Sequence, residues 1–169
     1  NQIYDELKKQ SEPHGSNIEI LSLCDNKEIS IGAKRQILND RAVGKYIIHW
    51  DDDDWICENG IDLIMEGLKS DCDVVTYDIE YNVPEFGYWQ YSHQYVRLSH
   101  KSRESAYDES NNVFYVTPNI KNAIKKEITN KVKFEDIHYK EDLAFSNEIL
   151  KYIKTEHHID KFIYQYLNR

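Results

Sequence analysis

The stretch IIHWDDDDW, residues 47–55, decides the reading of this chain. Two isoleucines, a histidine and a tryptophan lead into four consecutive aspartates. An apolar run normally enters a core, and four like charges repel one another, so a buried strand here delivers negative charge to one place. In an extended or turn segment, residues two apart point the same way, and Asp51 and Asp53 then aim two carboxylates at one point. In a helix they would diverge by about 200°. A hard divalent cation, Mg²⁺ or Mn²⁺, relieves such repulsion through oxygen ligands. A metal held by one or two carboxylates completes its shell with water and substrate phosphates, which suggests a nucleotide diphosphate bridged to the protein. The register is open by one residue, since Asp52 and Asp54 fit the same pattern. A solvated acidic turn that caps the following helix also fits. An EF-hand loop does not, because Trp55 and Ile56 stand where an Asx and a glycine are needed. A DxDx(T/V) phosphatase is a weak match, because Trp55 occupies the place of a small or hydroxylated residue.

Working outward, SIGAKRQILNDRA (30–42) predicts a helix with Ile31, Leu38 and Ala42 along one face, ended by Gly44. Before it, IEILSL (18–23) predicts a short strand running into Cys24-Asp25-Asn26, and NQIYDELKKQ predicts a helix broken by Pro13 and Gly15. After the aspartates, ENGIDLIMEGLKS predicts an amphipathic helix carrying Ile61, Ile64, Met65 and Leu68, and DVVTYDIEY a strand. The order α-β-α-β-α-β predicts a parallel sheet covered by helices, with ligands outside the carboxyl ends of the strands. Asp25 and Asp51 to Asp54 fall at such ends. The second half is less regular. Residues 83–112 predict a strand or hairpin around YWQYSHQYVRL and a mobile loop at HKSRESAYDESNN. TPNIKNAIKKEITNK predicts a helix over about 119–129. KEDLAFSNEILKYI (140–153) predicts another, with Leu143, Leu150 and Ile153 inward, and IDKFIYQYL a closing strand.

Composition bounds the function. The chain has 169 residues, 40% hydrophobic and 30% charged, enough for one domain with a core. Its net charge of −9 disfavours general nucleic-acid binding, which needs a basic surface. The three cysteines have no CxxC spacing and read as reduced thiols of a cytoplasmic protein. No apolar run approaches the roughly 20 residues of a membrane span, and no signal peptide is expected. Tyrosine is frequent, at 13, and suits both ligand-lined clefts and half-buried strands.

The segment GAKRQILNDRAVGKYIIHWDDDDW (32–55) resembles the core of the family 2 glycosyltransferases with the GT-A fold. Their pattern is a glycine, a basic pair, a helix, A-x-G-x-Y-I, and then an aspartate-rich DxD motif. FEDIHYKEDLAFSNEIL (134–150) is similar to their "F…ED…" segment, and IYQYLNR (163–169) to their closing tyrosine-rich strand. The resemblance covers about residues 18–169. It implies an α/β, GT-A (Rossmann-like) fold with a mixed, mostly parallel sheet flanked by helices. Residues 1–82 would form the nucleotide and metal half of a single domain, and 83–169 the acceptor side. The activity implied is hexosyltransferase-like. A sugar would move, with inversion, from a nucleotide-diphosphate sugar to a hydroxyl of a glycan, lipid-linked glycan or protein.

Residue by residue, the resemblance implies that Asp25 binds the base or ribose. Lys34 and Arg35 would lie near the phosphates, where positive charge is needed. Asp51 and Asp52 would contact the nucleotide sugar. Asp51 and Asp53 would form the DxD pair, with Asp53 the direct ligand of Mn²⁺ or Mg²⁺. Asp142, of the pair Glu141-Asp142, would be the catalytic base. Inverting transfer needs a carboxylate that takes the acceptor's proton, and cations that stabilise the departing diphosphate. The simpler reading of Glu141 and Asp142 is that they favour the helix dipole, worth about 0.3–1 kcal/mol. The pair His157-His158 either adds a late histidine to the metal or flanks a strand, and His49 reads as a packed strand residue. Trp55, Trp89 and Tyr91 either stack on sugars or pack in the core.

Two departures from the family pattern stand out. Gln36 occupies the place of an asparagine, which preserves an amide. The family's first strand, central in its sheet, has no counterpart, and its omission would leave two neighbours with unpaired backbone. Either the chain is a segment of a longer polypeptide, or another segment or chain supplies the strand, or the nucleotide half is rearranged. The last case leaves a non-catalytic module that binds nucleotide sugar or metal. A transferase acting on hydroxylated DNA bases is a weaker third reading, opposed by the acidic charge.

Overall fold

A computed structural model of the chain describes residues 2–82, 95–99, 106–108, 110 and 113–167. The elements in chain order are α1 (Gln2–Ser11), a 3-10 turn (Glu12–Asn17), α2 (Ile31–Arg41), β1 (Tyr46–Ile47), β2 (Trp55–Ile56), α3 (Gly60–Leu68), β3 (Val74–Asn82), β4 (Tyr95–Ser99), β5 (Ala106–Asp108), β6 (Val113–Tyr115), β7 (Ala123–Lys125), α4 (Lys126–Thr129), α5 (Glu141–Ile149) and β8 (Glu156–Leu167).

The spine of the molecule is β3. Residues Val74 to Ile79 are buried without interruption, as expected of a strand covered on both faces. β8 runs parallel to it along its whole length. On its other side β7 pairs antiparallel at Val74–Val75, and β4 does so from Asp78 to Asn82. Among the described residues the strands make one mixed sheet in the order β1-β7-β3-β4-β6-β5, with β8 on the far edge of β3 and β2 beyond it. This is the α/β sheet with flanking helices that the sequence implies.

Alternation along β3 builds two cores. Val75, Tyr77 and Ile79 face Ile56, Ile61, Ile64 and Ile163 beneath α3 and α1. Val74 faces the other way, into Ile120, Ile124, Phe134, Phe145 and Ile149 beside α5. α3 lies close on the sheet because Gly67 leaves room: a Cβ there would meet Val75 Cγ1 at 2.9 Å. Gln10 at the end of α1 donates to Cys57 O and accepts the N–H of Ile61, each through its amide, so α1 closes the start of α3.

Five expectations need correction. Residues 18–25 carry no strand; among the described residues no ladder reaches them, and Glu19 instead accepts the N–H groups of Val43 and Gly44. The predicted helix over 119–129 is β7 followed by the single turn α4. Ile120, Ala123, Ile124 and Ile128 have helical spacing, but Ala123 and Ile124 are buried on both faces between β1 and β3. The inward face of α2 is Gly32, Arg35 and Asn39, while Ile31 is exposed. On α5 Leu143 is exposed and Phe145 and Ile149 point inward. Trp89, Tyr91 and most of 83–112 lie outside the described residues; Ala106–Asp108, within the predicted loop, is strand β5.

A groove of about 470 Å³ lies between residues 17–21 and 44–50. Ile18, Ile20, Tyr46, Ile48 and Leu68 line it. Among the described residues β1 pairs only with β7.

Candidate functional site

The aspartate tip is held by cations from two distant parts of the chain. α2 begins at Ser30, whose hydroxyl accepts the N–H of Ala33 and donates to Asp136. Gly32 then passes against the 135–137 backbone, where its N–H donates to Ile137 O at 3.1 Å. A Cβ at residue 32 would lie 1.8 Å from Glu135 O, so only glycine allows this approach. The approach places Arg35, one turn later, beside the start of α5. Its Nη1 meets Glu141 Oε1 at 2.5 Å and its Nη2 meets Asp51 Oδ1 at 2.7 Å. Lys121, from the turn before β7, pairs with the other oxygen of Asp51. Arg35, Lys121 and Glu141 are buried, and the Asp51 side chain is 35% exposed. Burial pushes the Asp51 carboxyl up, but Lys121 and Arg35 outweigh it and hold it below the ordinary range. The same two cations, added to burial, lower His49 to about 3, so it stays neutral. His49 is packed as expected, edge-on against Phe134, but it lies just beyond the end of β1.

The remaining aspartates divide sharply. Asp52 and Asp53 are exposed on the turn. Asp54 is buried: Tyr164 donates its hydroxyl to Oδ2, and Leu167 donates its N–H to Oδ1 at 2.8 Å. Burial raises the Asp54 carboxyl, with those two donors opposing. Asp54 therefore fastens the tip to β8, which corrects the alternative register that used it as a metal ligand. Trp55 opens β2 and is about one-third exposed.

Asp25 closes its own turn. It accepts the N–H groups of Lys27, Glu28 and Ile29 and pairs with Lys34. The Lys34 bond, then the Ile29 bond, lower its carboxyl to about 2. Glu141 is the partner of Arg35, whereas Asp142 is half-buried and accepts the N–H of Leu143. Gln36 accepts the N–H of Phe134 at 2.9 Å, so the amide at that position ties α2 to the 134 segment.

Two site residues escaped the sequence reading, Lys121 and Tyr164. Tyr164 accepts the N–H of Asp51, donates to Asp54, and stacks on Trp50 with ring centroids 5.7 Å apart. The tyrosine-rich closing strand was the available signal for it. Lys121 had none, because its partner lies 70 residues away.

For the implied Mn²⁺ or Mg²⁺, the donor set fits in kind. Asp52 and Asp53 offer exposed hard oxygen ligands, while both Asp51 oxygens already face cations. Among the described residues no three acidic, imidazole or thiol donors converge at the tip; the set that does, Asp78, His158 and Asp160, lies elsewhere.

No protein-family model matches the sequence, and no curated protein matches it. Solved structures do. The complex of S. aureus TarS 1–349 with UDP-GlcNAc is similar at a TM-score of 0.63 and 16% identity, covering 96% of this chain and 46% of that one. TarS 1–349 alone matches at 0.60 and 17% identity, over 98% of this chain and 47% of that one. Its complex with UDP matches at 0.58 and 17%, over 81% and 40%. The chain thus spans less than half the length of these structures. At such identity the likeness shows the fold, which is of the GT-A α/β type.

Proposed function

We propose that this chain is a glycosyltransferase domain that moves a sugar from a nucleotide-diphosphate sugar to a hydroxyl acceptor with inversion. The observation that supports the reading is the ion-paired tip. Arg35 and Lys121, both buried, converge on Asp51 at the carboxyl end of β1, and exposed Asp52 and Asp53 extend beyond it. The similarity to structures solved with UDP and UDP-GlcNAc favours a uridine diphosphate sugar as donor.

The chemistry follows from charge. A diphosphate approaching Asp52 and Asp53 meets repulsion, which a divalent cation converts to attraction. Asp53, with Asp51 or Asp52, would hold Mn²⁺ or Mg²⁺, which when bound neutralises charge on the leaving diphosphate. Arg35 and Lys121 fix the Asp51 carboxylate and would add positive potential beside the leaving group. Asp25, which closes its own turn and pairs with Lys34, would meet the base or ribose, with Lys34 near the phosphates. Asp142, the less committed carboxylate at the start of α5, takes the acceptor proton, while Glu141 holds Arg35. The acceptor lies on the side of residues 83–169.

The expected additional strand, supplied by another segment or chain, would occupy the groove between residues 17–21 and β1. The same groove favours a second reading, a non-catalytic module that binds a nucleotide sugar. Transfer and hydrolysis assays with UDP-sugars and Mn²⁺ separate the two. The enzyme reading expects turnover that Asp142→Asn removes while nucleotide binding persists. Binding without any turnover by the native chain supports the module, and full activity in Asp142→Asn defeats the base assignment.

A further inference from the structure

At the opposite end of β8 from the aspartate tip, three donors meet where the β3–β8 ladder slips. Thr76 pairs with His158 and Tyr77 with Ile159, but Asp78 pairs with Phe162, so Asp160 is displaced from the partner position it would otherwise hold. One ligand atom each from Asp78, His158 and Asp160 lies within 4.8 Å of the others. Asp78 is fully buried, the His158 side chain is 9% exposed, and Asp160 is exposed.

The orientation of the His158 ring is set by its neighbours. The Thr76 hydroxyl donates to the Glu156 carboxylate at 2.5 Å, so it can only accept from His158 Nδ1, at 2.9 Å. In the neutral ring this leaves a lone pair on Nε2. That atom has no hydrogen-bond partner, and it faces Asp78 Oδ1 at 3.5 Å. A buried imidazole nitrogen that faces a buried carboxylate calls for something positive between them, a proton or a metal ion. A threonine hydroxyl that orients the ring through its far nitrogen is the arrangement that supports metal-ligating histidines.

We propose that Asp78, His158 and Asp160 bind a divalent transition cation of the Zn²⁺ class, one nitrogen and two oxygen ligands with the remaining position open to solvent beside Asp160. Imidazole selects this class over Mg²⁺. The site is separate from the aspartate tip: Tyr164, which touches the tip, packs in the core with Tyr77 and Ile79, and Asp78 alternates with those two along β3 and so faces the other way. The bound ion clamps the slipped segment of β8 onto β3, and it does not depend on the transferase reading.

The test titrates chelator-treated native protein with Zn²⁺, following the imidazole nitrogens by ¹⁵N NMR, and with Co²⁺, following visible absorption. One equivalent is taken up, with a shift confined to one histidine Nε2, and uptake is unchanged in the double variant Asp52→Asn/Asp53→Asn. His158→Ala abolishes it, Asp160→Asn weakens it at least tenfold, and Thr76→Val weakens it about 10–100-fold. Should His158→Ala fail to fold by circular dichroism, the exposed Asp160→Asn still reads the site. Absence of uptake at millimolar Zn²⁺, or His158 carrying protons on both nitrogens without binding metal, overturns the proposal. So does uptake indifferent to both His158→Ala and Asp160→Asn.

Discussion

The two acidic clusters solve one problem in opposite ways. At the aspartate tip, Asp51 meets two buried cations, and Asp54 meets a hydroxyl and a backbone N–H. At the β3–β8 slip, Asp78 and Asp160 meet an imidazole whose free nitrogen carries no hydrogen-bond partner. The tip is thus complete within the protein, and what extends from it, Asp52 and Asp53, faces solvent. At the slip, one ligand atom each from Asp78, His158 and Asp160 lies within 4.8 Å of the others. The difference teaches that adjacent acids in a sequence take different parts, and that donors far apart in the sequence can be gathered at one point. The four consecutive aspartates include one structural clamp and one ion-pair partner, whereas three residues scattered from 78 to 160 bring donor atoms within 4.8 Å of one another.

The largest expected effect lies in the proton transfer assigned to Asp142. A positioned general base contributes about 10²–10⁴-fold, so Asp142→Asn lowers the transfer rate by at least about 100-fold, measured with UDP-sugar under saturating Mn²⁺. Next comes the buried charge at the tip. Arg35→Met leaves Glu141 buried without its partner, and urea unfolding should show a loss of about 3–5 kcal/mol. A loss under 1 kcal/mol would mean that the tip is not held together as described. Tyr164→Phe removes the hydroxyl shared by Asp51 N and Asp54 and should cost about 1–3 kcal/mol. By contrast, Asp160→Asn in the metal-free protein should change stability by less than about 0.5 kcal/mol, as for a surface position.

Acid sharpens the same comparison. The folded Asp51 carboxyl sits below its unfolded value, so its contribution is fully present above about pH 4 and is lost as pH falls through the folded pKa. Lys121→Met removes one of the two cations that lower it. Acid unfolding followed by circular dichroism should therefore begin at higher pH in Lys121→Met than in the native chain. An unchanged acid midpoint would show that Lys121 does not set the Asp51 charge.

Much of the fold was legible because its elements are locally patterned. The helices α2, α3 and α5 and the strands β3 and β8 all lie where apolar spacing and breakers put them. What failed was non-local. Ala123 and Ile124 carry helical spacing, and only the strands on either side make them a ladder. IEILSL has strand composition, but a strand exists only with a partner, and none of the described residues provides one. Burial faces were misjudged on α2 because Arg35 is an inward charge, which hydrophobic periodicity scores as outward. At the site, the sequence could bring Lys34, Arg35 and the aspartates into one motif. Lys121 and Tyr164 join them only through the sheet, across 70 and 113 residues.

The most direct measurement is calorimetric titration of the native chain and of Asp53→Ala with UDP and a UDP-sugar, each with and without Mn²⁺. The account predicts saturable binding that requires Mn²⁺ and disappears in Asp53→Ala while the circular dichroism spectrum is retained. No uptake of nucleotide at millimolar concentration, or binding indifferent to both Mn²⁺ and Asp53, would contradict it.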